Sequence, residues 1–348
     1  MNRIDWVVLR RVASGVGITA LVIFGLTALA VSLDVGRFQD LSARGGPLLG
    51  LAGIVTNAAR IVLGTLPVVV LIGTIVGALE LQARREMTII KATGISIWRI
   101  ARAPVAAALV LGLVTGLLAW STVTQADRDI GGGQTRSGTL WLEQAGKDGA
   151  YILRANRVRA QGTELEGVTV FRTGASHERI EAASARLSGG AWDLTQPVRY
   201  APGAAPEPLT ALKLATETSP GDMRVKLTSA RELTLPELLT AVQTGIADRV
   251  LRAGAMTSLY GLLVLPLMLA GSVLMGFAFT SGYRRTNKYG GAVLYGIVLG
   301  FVVYVVTELA TRSGVAGVLD PAFAALGPAF VAIVIGLTVL LYREDGRA

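Results

Sequence analysis

Long apolar runs alternate along this chain with short polar connections. Six runs stand out, at about 12–33, 60–79, 103–122, 254–280, 289–309 and 322–342. Each is close to the length that crosses a bilayer, since about 30 Å of hydrocarbon at 1.5 Å rise per residue takes roughly 20 residues. The first run is longer than the short apolar core of a cleaved signal and lacks a small-x-small cleavage site after it, so it is expected to be retained. Between the third and fourth runs the period changes. "GTLWLEQ" from Gly138, "AYILRANRV" from Ala150, "GVTVFRTG" from Gly167, "AWDLTQPVRY" from Ala191 and "MRVKLTSA" from Met223 read as short strands between Gly-, Pro- and Ser-rich turns. Such spacing predicts an all-β sandwich or partial barrel. "APGAAPEP" at 201–208 is expected to be a loop, because its prolines cannot donate to a central ladder. The pattern therefore predicts helices 1–3 over 1–124, an all-β insertion over 125–252, and helices 4–6 over 253–348.

Composition agrees with a membrane protein. Of the 348 residues, 52% are hydrophobic and only 16% charged, against about a quarter charged in ordinary soluble domains. Charge then gives an orientation. The N-terminus, the 80–102 connection, the 281–288 connection and the C-terminus together carry thirteen Lys and Arg, and the opposite connections four, counting Arg60 at the start of the second run. The richer side is expected to be cytoplasmic, which places the insertion outside. The insertion is nearly neutral, with 16 basic and 15 acidic residues. Most of the net charge of +9 thus belongs to the membrane portion, where topology and anionic lipid explain it better than nucleic acid does.

Catalytic chemistry is hard to place. There is no cysteine, no His-Glu-x-x-His pattern, no Ser-x-x-Lys pair and no phosphate-binding Gly-x-x-x-x-Gly-Lys loop. Neither a metal nor a cofactor is expected. The lone His177 follows a turn-like "TGAS" and reads as a solvated surface residue. Glu308 lies by Thr311 and Arg312 at the end of the fifth run, where water reaches it, and reads as structural or as part of a gate.

"LQARREMTIIKATGISIWRI", residues 81–100, is the most informative connection. From Ala83 to Thr93 helical spacing puts Ala83, Met87 and Ile90 on one apolar stripe. Gly94 suits a left-handed helix end and Ser96 a cap for the next helix. Topology alone accounts for Arg84, Arg85, Lys91, Arg99 and Arg102, but not for Glu86. The positions three and four away from it are Ala83, Gln82, Ile89 and Ile90, so its carboxylate has no partner within its own helix. A short amphipathic helix with a free acid suits insertion into a groove of another protein.

These residues carry a family resemblance. "LPVVVLIGTIVGALELQARREMTIIKATGISIWRI", Leu66–Ile100, resembles the signature of the lipopolysaccharide export permeases LptF and LptG at Leu66, Pro67, Gly73, Glu86, Ala92, Gly94, Ser96 and Arg99. "LTLPELLTAVQTG" at 233–245 and "LVLPLMLAGSVLMGFAF" at 263–279 are similar as well, while "KDGAYILRANRV" and "GFVVYVVTELA" lean towards LptG. The resemblance implies an α-helical inner-membrane protein with six transmembrane helices, a periplasmic β-jellyroll inserted between helices 3 and 4, and both termini in the cytoplasm. It implies a non-catalytic half-transporter working with an LptB-like ATPase dimer, an LptF-like sister permease and an LptC-like bridge protein on lipopolysaccharide. Arg84, Arg85, Glu86, Met87, Ile90, Gly94, Ser96 and Arg99 would form the ATPase contact. Arg37, Arg44, Arg128 and Arg136 would supply basic groups for the lipid's phosphates. This chain has fewer basic residues after the first run than the family usually carries. The third run continues into "STVTQADRDIGGGQ" where the family carries a proline.

Other readings stay open on the residues alone. They are a permease of another ATP-driven lipid, lipoprotein or efflux system, and a membrane-anchored interaction protein. In lipoprotein and efflux permeases the large domain follows the first span rather than the third, and six spans are many for an anchor. A proton-driven transporter would show an inverted repeat and broken spans near the midplane, and a lipid-modifying enzyme would need a converging nucleophile, metal or acid pair.

Overall fold

The structure is a computed structural model that describes residues 3–130, 136–146, 149–159, 162–172, 178–216, 218, 223, 233–243, 249–280 and 289–344. These form two compact units, 1–127 with 234–348, and 128–233.

The first unit is helical: α1 (Arg3–Ser32), α2 (Val35–Gly45), α3 (Pro47–Gly64), α4 (Leu66–Ala83), α5 (Glu86–Ala92), α6 (Ile97–Val114), a π-helical turn at Thr115–Ala119, α7 (Trp120–Ile130), α8 (Leu235–Gln243), α9 (Arg249–Thr280), α10 (Tyr289–Val315) and α11 (Pro321–Glu344). Among the described residues, seven helices are long and apolar enough to cross a membrane, rather than the six expected. The extra one arises where the expected second run, 60–79, straddles a junction. α3 and α4 meet at the single residue Thr65, with Pro67 in the first turn of α4, where its missing N–H costs nothing. One residue is too short a connection for two helices to fold back on each other, so α3 and α4 continue as one bent rod. The sequence signal for α3 is weakened by Asn57 and Arg60.

α4 and α9 are apolar all round and the most buried of the seven, so they form the centre of the bundle, as a helix without a polar face must. α1 lies on α4 through glycine. A Cβ on Gly73 would fall 2.4 Å from Cα of Val16, and one on Gly77 2.8 Å from the Arg11 carbonyl. Small residues at i and i+4 allow this approach, the usual means of helix association where lipid removes the hydrophobic drive. α6 and α9 meet at a pair of irregularities. Pro266, inside α9, leaves the Leu262 carbonyl without its usual i+4 donor. Gly116, in the π-helical turn, lies against that oxygen so closely that a Cβ would sit 2.6 Å from it. By contrast the C-terminal half of α1 presents Leu21, Leu26 and Leu29 outward, as a lipid-facing surface does.

The second unit is all-β and entirely antiparallel, as the alternating runs predict. β1 (Arg136–Gly146), β2 (Gly149–Arg159), β3 (Glu164–Arg172), β4 (Arg179–Ser188), β5 (Ala191–Thr195) and β8 (Leu212–Ala215) follow one another across a single sheet. β6 (Val198–Tyr200) pairs with the first part of β4, and β7 (Glu207–Pro208) with β6. The far edge curls back to the first. The Tyr151 hydroxyl donates to the Ala215 carbonyl at 3.1 Å, and the Gln144 amide oxygen accepts from Thr216 at 2.5 Å and Thr218 at 2.8 Å. Leu153, Leu165, Val170, Ile180 and Trp192 fill the interior. "APGAAPEP" is a loop to 206; Pro208 joins only the terminal strand β7, where a missing donor is tolerated. β4 is not among the alternating runs, because "RIEAASARLS" is rich in alanine, a weak strand former. The strand expected from Met223 lies outside the described residues save Met223 itself, as does His177. The insertion was expected over 125–252; the β unit spans 128–233, and Leu235–Gln243 is already helical.

Candidate coupling site

The segment between α4 and α6 makes a sharp corner, a short helix and a second corner. α4 ends at Ala83 and α5 starts at Glu86, so the expected continuous helix from Ala83 is broken at Arg84 and Arg85. Arg85 adopts the left-handed region, at φ 59° and ψ 7°, which a residue with a side chain rarely occupies. At the far end Gly94 takes φ 78°, the left-handed helix end that its lack of a Cβ permits. Ser96 stands at the N-cap position of α6 with extended backbone, but its hydroxyl makes no capping hydrogen bond.

The apolar stripe faces the opposite way from the expectation. Met87 and Ile90 are buried in the chain's own core, with Leu81, Ile97 and Ile100, and are not offered to a partner. The amphipathic pattern is satisfied within the bundle, which is what an apolar stripe does first when its own core lies next to it. The outward face carries Arg84, Arg85, Thr88, Ile89, Lys91, Ala92 and Thr93, continuing to Gly94, Ser96 and Arg99. Ile89 is the large apolar residue of that face, 64% exposed among cations.

Glu86 differs from expectation as well. It has no partner in α5, yet it is not free. Arg11 of α1 donates to it at 3.3 Å and to Glu80, in the last turn of α4, at 2.8 Å. Arg84 also meets Glu80, at 3.3 Å. Glu86 Oε2 is shielded from solvent and accepts no hydrogen bond among the described residues. Nearby, Arg102 of α6 donates to the buried Asp5 of α1 at 2.6 Å. Gln82 donates to the Thr280 carbonyl, tying the end of α4 to the end of α9. Sequence reasoning missed Arg11, Glu80, Asp5 and Ile89. The first three act across 69 to 97 positions, which no local spacing signals.

The basic residues expected at the lipid are spread over several elements. Arg37 and Arg44 lie two turns apart on α2 and Arg136 opens β1; the side chains of these three are outside the described part of the structure. Arg128 is half-buried near the end of α7. Beside it Asp127 is 3.6 Å from Arg60 and 3.3 Å from the Thr56 hydroxyl, both of α3. Glu308 pairs with Arg312 one turn on, at 2.7 Å. No cluster of three or more metal-ligating side chains occurs among the described residues.

Comparison with known proteins bears on the whole chain. Residues 6–343 match the family described as lipopolysaccharide export system permease LptF/LptG. A relative named lipopolysaccharide export system permease protein LptG, from Haemophilus influenzae, is 24% identical over 297 residues, covering 80% of this chain and 82% of that protein. With its long apolar helices and inserted β-sheet, this chain belongs to the LptF/LptG family of lipopolysaccharide export permeases, multi-pass proteins of the inner membrane.

Proposed function

We propose that this chain is the LptG-like half of an ATP-driven exporter that extracts lipopolysaccharide from the inner membrane and passes it to a periplasmic bridge protein. The observation that carries this is the outward face of α5. A helix of seven residues is held between two long apolar helices, fixed inward by Met87 and Ile90, and turns Ile89 outward among Arg84, Arg85 and Lys91. An apolar anchor ringed by cations suits a groove with an apolar floor and acidic rim, of the kind that accepts a helix. The unfilled Glu86 oxygen takes a cation from the same partner once the Arg84–Arg85 corner shifts.

In this reading the partner is an LptB-like ATPase dimer. The chain itself hydrolyses nothing; closure of the ATPase on nucleotide moves α5 and the helices joined to it. An LptF-like sister completes the cavity. Apolar walls accept acyl chains, while Arg37, Arg44, Arg128 and Arg136 meet phosphate, which guanidinium binds through paired hydrogen bonds. The excess of Lys and Arg supports an orientation with residues 81–100 and both termini in the cytoplasm and the β unit in the periplasm. The LptG name of the Haemophilus relative favours that half over LptF. Affinity purification of the tagged chain in mild detergent, followed by mass spectrometry, tests the assembly. A soluble ATPase and a second permease should accompany it; recovery of neither would overturn the reading.

A further inference from the structure

We propose that Arg11 positions the α4–α5 corner and joins α5 to α1, by gripping Glu80 and Glu86 on either side of the left-handed Arg85. Three observations carry this. The guanidinium reaches Glu80 at 2.8 Å and Glu86 at 3.3 Å, and these two acids flank the two corner residues. Arg85 is held at φ 59°, a conformation that persists in a residue with a side chain only where its surroundings fix it. No hydrogen bond from a capping side chain fixes the start of α5. The planar fork of arginine spans two carboxylates at once, which a lysine ammonium does less well.

Arg11 does not act alone on α1. Gly77 of α4 packs against the backbone of Arg11 and Val12, so the helix that carries the guanidinium cannot slide away from α4. Two turns earlier Asp5 takes Arg102 from α6, the helix that follows α5. α5 is thus tied to one helix, α1, at its leading corner, and its following helix is tied to that same helix. Displacement of α5 moves α1 with it.

Spin-label distances test this in the full chain, which has no cysteine to interfere. Labels at Ile18→Cys on α1 and Ile89→Cys on α5, both exposed sites, should give one narrow distance in lipid nanodiscs. Arg11→Gln should lose it, and Arg11→Lys should retain part. The quadruple exchange Arg11→Glu, Glu80→Arg, Arg84→Glu, Glu86→Arg reverses each charge of the Arg11, Glu80, Arg84 and Glu86 contacts and should restore the narrow distance. An unchanged distance in Arg11→Gln, or a quadruple exchange as broad as Arg11→Gln, would overturn the proposal. A second arm rests on the exporter reading: with the copurifying ATPase present, lipid released per ATP should fall about 5-fold or more in Arg11→Gln, the lower end of ordinary coupling between sites. An ATPase that never binds would overturn the exporter reading and leave the distances to decide Arg11.

Discussion

Arg11 and Glu86 stand 75 positions apart in the chain and 3.3 Å apart in space. Their contact explains how an acid without a partner in its own helix is held at the edge of a bundle. Among the described residues it leaves one carboxylate oxygen of Glu86 without a hydrogen bond.

Replacing Glu86 with Lys sets a second cation beside Arg11 and removes that oxygen. ATPase recovered with the purified chain should fall about tenfold, equivalent to roughly 1.4 kcal/mol. The β unit, whose core is separate from that of the helices, should keep its circular dichroism. Undiminished recovery would remove Glu86 from the contact.

Packing of α1 on α4 should respond to one glycine and not to another. Gly73→Leu would drive a side chain into the Val16 backbone and destabilise the chain in detergent by roughly 1–3 kcal/mol, as overpacking does. Gly17, on α1, has nothing within 4 Å of its Cβ direction, so Gly17→Leu should melt as the parent does. Equal melting of both variants would contradict the close approach.

The β unit depends on Trp192, fully buried between β4 and β8. Trp192→Ala should cost about 3–5 kcal/mol, the range for deleting a large aromatic from a core. Protease digestion of the full chain should then cut within 128–233 while sparing the helices. Resistance equal to the parent's would mean that the interior is not held by this side chain.

Loss of Arg37, Arg44 and Arg136 together, each to Gln, should lower crosslinking to lipopolysaccharide without changing the amount of chain in the membrane. Equal crosslinking would assign these arginines to solvent or to lipid headgroups, where long basic side chains also settle.

How far the sequence could be read depended on whether a signal was local. The apolar runs and the alternating strands were legible because length and period need only neighbouring residues. β4 escaped because alanine occupies inward and outward positions alike, Ala182 and Ala185 being buried and Ala183 exposed, leaving little contrast. At the site, the left-handed end at Gly94 was legible, since glycine announces it, whereas the same conformation at Arg85 carries no mark in the sequence. The stripe of Met87 and Ile90 was visible as a stripe. Its direction was not, because periodicity cannot tell the chain's own core from a partner's groove. Arg11 was out of reach for a similar reason: it is one of three Lys and Arg in the first eleven residues, and topology already accounted for all of them.

The proposed exporter requires α5 to be the surface on which an ATPase docks. A single cysteine at Ile89, in a chain that otherwise has none, measures this directly. In intact cells its free thiol should remain closed to membrane-impermeant thiol reagents from outside, and in a second sample, carrying a short photoactivatable crosslinker, it should yield one adduct with a soluble ATPase. Labelling from the periplasmic side, or the absence of any ATPase adduct, would contradict the account.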